Sequence, residues 1–342
     1  MHFDPDAAGK PGSGIFGLPH SREEASVVLL PVPFDATTSY GHGTADGPAA
    51  ILRASMQVDL YDRTYGRIYE RGIHLLPESG EIRQASRSAR ALALPIIEKG
   101  GADPSDEAVL AKIDALGDLV NHYTYSETRR TLEQGKIPGL VGGDHSTPFG
   151  AVRACAEHAA AGGERLGILH IDAHMDYREA FEGFRWSHAS IMHSVLSRIP
   201  EVATIVQIGI RDFGEGEMDF GIEQGRRSLT CFDLEWAQRI ESGELFLDLA
   251  REAVAHLPEH VYISFDIDAL DPSLCPNTGT PVPGGLSFNR AALLLDTLRT
   301  SGKKVVGFDL VEVAPGPEGD EWDANVGARI LYKLCGVATA PR

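Results

Sequence analysis

Residues 165–176 read RLGILHIDAHMD, an apolar run that ends abruptly in two carboxylates and an imidazole. Leu166, Ile168, Leu169 and Ile171 leave no polar face over six positions, which is the pattern of a parallel strand buried on both sides. Side chains of an extended segment alternate between faces, so Asp172, His174 and Asp176 share one face if the chain stays extended beyond the run. His170 has the same parity.

Five other segments repeat the pattern: ASVVLLPVPF (25–34), IPGLVGG (137–143), VATIVQIGI (202–210), HVYISFDIDA (260–269) and KKVVGFDLVEV (303–313). Stretches with helical character separate them, at 46–56, about 105–133, 146–160, 187–199, 240–256, 288–301 and 323–335. Strand–helix alternation predicts a parallel sheet covered by helices, a three-layer α/β/α fold. Residues 1–25, rich in Gly, Pro and polar residues, read as an extended arm, and 26–342 as one catalytic domain. In open parallel sheets ligands bind beyond the carboxyl ends of the strands. The polar clusters GGDHS, DAHMD, DIDALDPS and EVAP all follow apolar runs there.

Composition narrows the function. With 31 Lys and Arg against 49 Asp and Glu the chain carries a net charge of −18, which works against contact with nucleic-acid phosphates and suits a cationic small substrate. No run approaches the roughly 20 apolar residues of a membrane span, and the N-terminus has no basic segment leading into an apolar one, so a cytoplasmic location is expected. Cys155, Cys231, Cys275 and Cys335 form no C-x-x-C pair, which argues for reduced structural thiols.

Singly, each cluster has an ordinary reading. Asp144 and Ser146 suit a helix cap near residue 146, and Asp266 and Asp268 suit turns before Pro272. Jointly, His145, Asp172, His174, Asp176, Asp266 and Asp268 project at one sheet edge, where four carboxylates repel unless cations are present. Two divalent ions would balance them, and oxygen and imidazole donors without sulfur favour Mn²⁺ among first-row metals.

GGDHS, DAHMD and SFDIDALDPS, in this order, resemble the signatures of the ureohydrolase family, which includes arginase and agmatinase. TTSYGHGTADGPAAI, EGFRWSHASIM, NTGTPVPGGLSF and GFDLVEVAP are similar to agmatinase-branch segments, and the resemblance spans about residues 26–340. It implies a dinuclear manganese centre in a homotrimer or homohexamer. By matching motif, His145 and Asp176 serve one metal, His174 and Asp268 the other, and Asp172 and Asp266 bridge both. Asp176 also aims the nucleophile, His188 relays a proton to the leaving amine, and Glu312 pairs with the substrate guanidinium.

The implied reaction is hydrolysis of a guanidino group to urea and an amine, with agmatine the favoured substrate. Guanidinobutyrate, free guanidine and formiminoglutamate stay open, as do a single-metal zinc deacetylase on a related fold and a non-catalytic subunit of a hetero-oligomer. Where arginases carry an Asn after the second motif this chain has Tyr177-Arg178, against L-arginine. Arg178 is expected either to pair with Glu179 or Glu182 or to meet a substrate carboxylate. Segment 78–105 reads as a lid or an assembly contact. His42, His170 and His193 read as structural, with His42 in a loop near the entrance.

Overall fold

The apolar runs build a sheet of eight parallel strands in the computed structural model, which describes residues 3–340 other than 8 and 11. The strands are β1 (Val27–Val32), β2 (Ile73–Leu75), β3 (Ile137–Gly142), β4 (Leu166–Ile171), β5 (Val202–Ile210), β6 (Ser228–Phe232), β7 (His260–Asp266) and β8 (Lys304–Val311). Their spatial order is β2-β1-β3-β8-β7-β4-β5-β6, so β3, β8, β7 and β4 lie side by side at the centre. The four polar clusters follow those four strands.

Helices cover both faces. Helices α1 (Gly47–Ala54), α8 (Phe246–Ala255), α9 (Phe288–Thr300) and α10 (Trp322–Thr339) close the largest core, which includes Leu29, Ile263, Phe265, Leu295 and Leu331. On the opposite face α3 (Glu107–Glu133), α4 (Phe149–Ala161) and α5 (Ile191–Arg198) pack around Val152, Ile168, Val195 and Ile205, while α2 (Gly80–Glu98) packs with Leu30, Val32, Val120 and Leu140. The three-layer α/β/α expectation is met. No described helix is long and apolar enough to cross a membrane.

Besides α7 (Asp233–Glu241), four elements were not expected from the sequence: the edge strands β2 and β6, helix α2, and α6 (Glu215–Gln224). The edge strands are short, and β6 is half-buried throughout, so neither shows the apolar run of a central strand. The helix expected over 240–256 is α8, and α7, which ends before it at Ser242-Gly243, where Gly243 has φ 102°, was not expected. Nor is the N-terminal segment a free arm. Ile15, Phe16 and Leu18 are buried in the main core, and the Phe16 amide donates to Ser55 Oγ at 2.9 Å.

Segment 78–105 packs against α3 rather than standing off as a lid. From α2, Arg83 reaches Asp46 and the Ala45 carbonyl, Ser86 exchanges hydrogen bonds with Asp35, and Arg90 donates to the Thr38 carbonyl at 2.6 Å. After it, the Ala102 amide donates to the Glu182 carbonyl at 2.9 Å, while Ala93, Ile96 and Ile113 enclose Phe184. Helix α2 and its C-terminal loop therefore brace both loops 35–46 and 177–187, the latter leading into His188.

Candidate metal and catalytic centre

The convergence expected of Asp172, His174 and Asp176 occurs, but by a different route. β4 ends at Ile171, and Asp176 adopts φ 56°, in the left-handed region. Such a conformation costs a non-glycine residue about 1–2 kcal/mol and is held only where the surroundings fix it. Here the Asp176 carbonyl accepts from the His193 amide at 3.0 Å, and the neighbouring Tyr177 amide donates to Glu217 Oε1 at 3.0 Å. Alternation alone thus places Asp172 and His174, and a backbone turn places Asp176.

Most of the carboxylates have one oxygen tied to a backbone amide and the other turned inward. Asp172 Oδ1 accepts from the His174 amide (2.6 Å), Asp266 Oδ1 from the Asp268 amide (2.8 Å) and Asp268 Oδ1 from the Ala173 amide (3.1 Å). The strand-end turn expected of Asp266 is therefore real and leaves its second oxygen available. Around His145 Nδ1 stand Asp172 Oδ2 at 2.9 Å, Asp176 Oδ2 at 3.1 Å and Asp266 Oδ2 at 3.2 Å. His174 Nδ1 lies 3.1 Å from Asp268 Oδ2 and 3.5 Å from Asp172 Oδ1.

These atoms crowd two points and share Asp172. Donor atoms of His145, His170, Asp172 and Asp176 lie within 4.8 Å of one another, and so do those of Asp172, His174 and Asp268. His145 Nδ1 and Asp176 Oδ2 are buried without any aligned hydrogen bond. Buried polar atoms are rarely orphaned, and a carboxylate-rich cluster of this kind is completed by cations. The residues fit divalent metal ions.

The inner face is hydrogen-bonded. Ser264 Oγ donates to Asp309 Oδ1 at 3.0 Å, so it meets His145 Nε2, 2.9 Å away, as an acceptor. That contact puts the His145 proton on Nε2 and leaves the Nδ1 lone pair facing the three carboxylates. Gly209, φ 99°, lies beneath: a Cβ there would sit 2.9 Å from the Asp172 carbonyl. Burial raises the Asp266 carboxyl well above its usual range, helped by Asp268 and Asp172, and burial with Asp172 lifts Asp176 to about 6.

Glu312 closes β8 at φ 62°, a second strained acid. Its amide donates to the Gly143 carbonyl and its Oε1 accepts from the His145 amide, both at 2.8 Å. Oε2 is buried with no partner, and a Cβ on Gly279 would approach it to 3.1 Å. Burial, then Asp144, pushes its carboxyl well up. Asp144 is not the expected helix cap: α4 starts at Phe149, and Asp144 Oδ1 holds Ser146 within a turn. Its Oδ2 is also unpaired, and its carboxyl is pushed by burial to about 7.

His188 opens the short turn before α5, edge-on to Phe181 with ring centroids 5.9 Å apart and Nδ1 3.4 Å from Ser187 Oγ. Burial lowers its pKa to about 3. Its imidazole is therefore neutral at ordinary pH.

Other expectations sort cleanly. Arg178 pairs with neither Glu179 nor Glu182: its Nη2 lies 3.3 Å from Glu217 Oε2, and its guanidinium stacks on Phe181 at 5.0 Å. Tyr177, 2% exposed, points into the core and hydrogen-bonds Ser228 Oγ at 2.8 Å. His42 is exposed, and His193 packs on Phe220. His170 is buried with Nε2 2.8 Å from Asp172 Oδ2. Sequence reading passed over Ser264, Asp309 and Gln207, although each is a polar residue inside a buried strand, a signal in its own right.

A profile described as the Arginase family matches residues 25–336. The N(1)-aminopropylagmatine ureohydrolase of Thermus thermophilus is 33% identical over 316 residues, covering 92% of this chain and 91% of the relative. The agmatinase of Pyrococcus horikoshii is 29% identical over 318 residues, 92% and 93% of the two chains. The solved structure of an agmatine ureohydrolase from Thermoplasma volcanium superposes with TM-score 0.70 at 25% identity, covering 95% and 94%.

Proposed function

This chain belongs to the arginase family of hydrolases, and on that premise we propose that it is a dinuclear manganese amidinohydrolase cleaving a small cationic guanidino compound to urea and an amine. Agmatine is the favoured substrate, and the names of the relatives add its aminopropyl derivative. The observation that carries the reading is the pair of donor sets sharing Asp172, beside a buried, unpartnered Glu312 oxygen.

His145, Asp176, Asp172 and Asp266 would hold one cation, and His174, Asp268, Asp172 and Asp266 the other. When bound, the pair supplies a hydroxide nucleophile near neutral pH and offsets the carboxylate charge. Glu312 offers Oε2 to the planar guanidinium, a charge-assisted contact that orients the carbon for attack. Asp176, pinned by its strained backbone, is available to accept the hydrogen bond that aims the nucleophile. His188, a neutral imidazole beside the centre, is assigned the relay of a proton to the departing nitrogen. Arg178 is already engaged by Glu217, which removes the support for a substrate with a carboxylate tail. A trimeric or hexameric assembly is part of the same reading, testable by light scattering.

The test is urea release by the Mn²⁺-loaded protein from agmatine, N1-aminopropylagmatine, arginine, guanidinobutyrate, guanidine and formiminoglutamate. Turnover of a tail-bearing cationic substrate above the others is expected. No turnover with two ions bound per chain would contradict the reading.

A further inference from the structure

Behind the Asp172 carboxylate runs a chain of side chains that reaches the carboxylate cluster only at its His170 end. It begins at Thr230 on β6, passes Gln207 on β5 and His170 on β4, and ends on Asp172. Gln207 and His170 are completely buried.

The polarity of this chain is fixed by one backbone group. The atom of Gln207 that lies 2.7 Å from the Met175 carbonyl must be a donor, because a carbonyl only accepts. The same amide nitrogen lies 3.1 Å from His170 Nδ1, which is therefore the accepting ring atom. The His170 proton then sits on Nε2, 2.8 Å from Asp172 Oδ2, and is donated there. Consistently, Gln207 Oε1 receives the Thr230 hydroxyl at 2.8 Å. A hydrogen bond of this kind occupies one lone pair of Oδ2 and fixes the plane of the carboxylate, leaving the other lone pair directed inward. Gln207 also grips Met175, the residue between His174 and Asp176, so one side chain disciplines three of the six inward-facing residues.

We propose that Gln207 is a positioning residue: through His170 and the Met175 carbonyl it sets the orientation of Asp172, and so the affinity for the cation pair and the turnover that depends on it. The proposal rests on the dinuclear reading above. His170, though within reach of the cluster, acts as a donor to a ligand and not as a ligand.

The experiment measures Mn²⁺ affinity by competition with a chelating dye, together with kcat, KM and the melting of the metal-free protein, in wild type and variants. Gln207→Met keeps the volume and removes both donations. It is expected to weaken Mn²⁺ binding about 10–100-fold, the usual consequence of losing an outer partner, to lower kcat, and to leave KM within about twofold because the chain does not touch substrate. His170→Gln retains an N–H near the Nε2 position and should stay within a few-fold of wild type, whereas His170→Leu should fall with Gln207→Met. Gln207→Met that melts cooperatively yet binds Mn²⁺ as tightly as wild type overturns the proposal, as does His170→Gln that is damaged as badly as His170→Leu. If Gln207→Met does not fold, Thr230→Val decides: a several-fold loss that Thr230→Ser does not share supports the chain, and unchanged affinity overturns it. A wild type that binds no divalent ion overturns the dinuclear reading and this proposal together, while a wild type and a Gln207→Met that both bind two equally well overturn this proposal alone.

Discussion

The two halves of the centre are built unequally. The His145 side chain is 2% exposed, ringed by three carboxylate oxygens within 3.2 Å and backed through its other nitrogen by Ser264 and Asp309. His174 is 22% exposed, has Asp268 at 3.1 Å and Asp172 at 3.5 Å, and its other ring nitrogen makes no hydrogen bond to any described residue. On the proposed reading a cation in the deep half would sit in lower dielectric, where attraction is stronger and escape slower. The shallow half would then be the one that exchanges, with Asp172 coupling the two.

The largest effect should come from removing that coupling. Asp172→Ala is expected to take urea release to the detection limit and the metal content below one ion per chain; two ions retained would break the shared-ligand account. Next, His188→Ala should keep both ions and lose about 10²–10⁴ in kcat, the usual worth of a general acid or base. Full activity in that variant would remove the role assigned to it. The asymmetry itself is sharpened by single variants: His174→Ala should retain one ion per chain, and His145→Ala neither, by elemental analysis after desalting. Equal losses would erase the distinction between the halves.

The smallest effect is on the metal-free protein. Burial raises Asp176 to about 6 and Asp144 to about 7, and Asp266 and Glu312 well up, from an unfolded value near 4. An acid with a raised folded pKa binds its proton more tightly when folded, so it supports the fold below about pH 4 and this support is lost as pH climbs through 6 and 7. These four acids outweigh His188, whose lowered pKa acts in the opposite sense between pH 5 and its unfolded value near 6.5, so melting of the metal-free protein should fall by several degrees between pH 5 and pH 8, and Mn²⁺ should cancel the fall. A melting temperature that rises over that interval would contradict the assigned pKa directions.

The central strands were legible because each is buried on both faces and so is apolar throughout, and the clusters at their ends were legible because charges there interrupt that pattern. Alternation placed His170, Asp172 and His174 correctly. It did not foresee the left-handed turn at Asp176, which depends on α5 and α6 supplying its hydrogen-bond partners from far along the chain. Arg178 was matched to its sequence neighbours, whereas its partner Glu217 comes from α6, a helix the sequence pattern did not reveal. Helix α2 was hidden for a related reason: its buried face is made largely of Ala85, Ser86, Ala89 and Ala93, small residues that carry little hydropathy signal yet let it lie close to α3. Gln207 and Asp309 were visible as lone polar residues in apolar strands, but their partners are set by the sheet order, which alternation along one strand does not contain.

The central claim is that six side chains at the ends of β3, β4 and β7 hold two divalent ions, one deep and one shallow. Anomalous scattering from crystals of the Mn²⁺-loaded protein tests it most directly. Two peaks are expected, one in contact with His145 and Asp176 and the other with His174 and Asp268, both reaching Asp172, and the second weakening first as a chelator is soaked in. A single peak, or none, at full occupancy of a urea-releasing preparation would contradict the account.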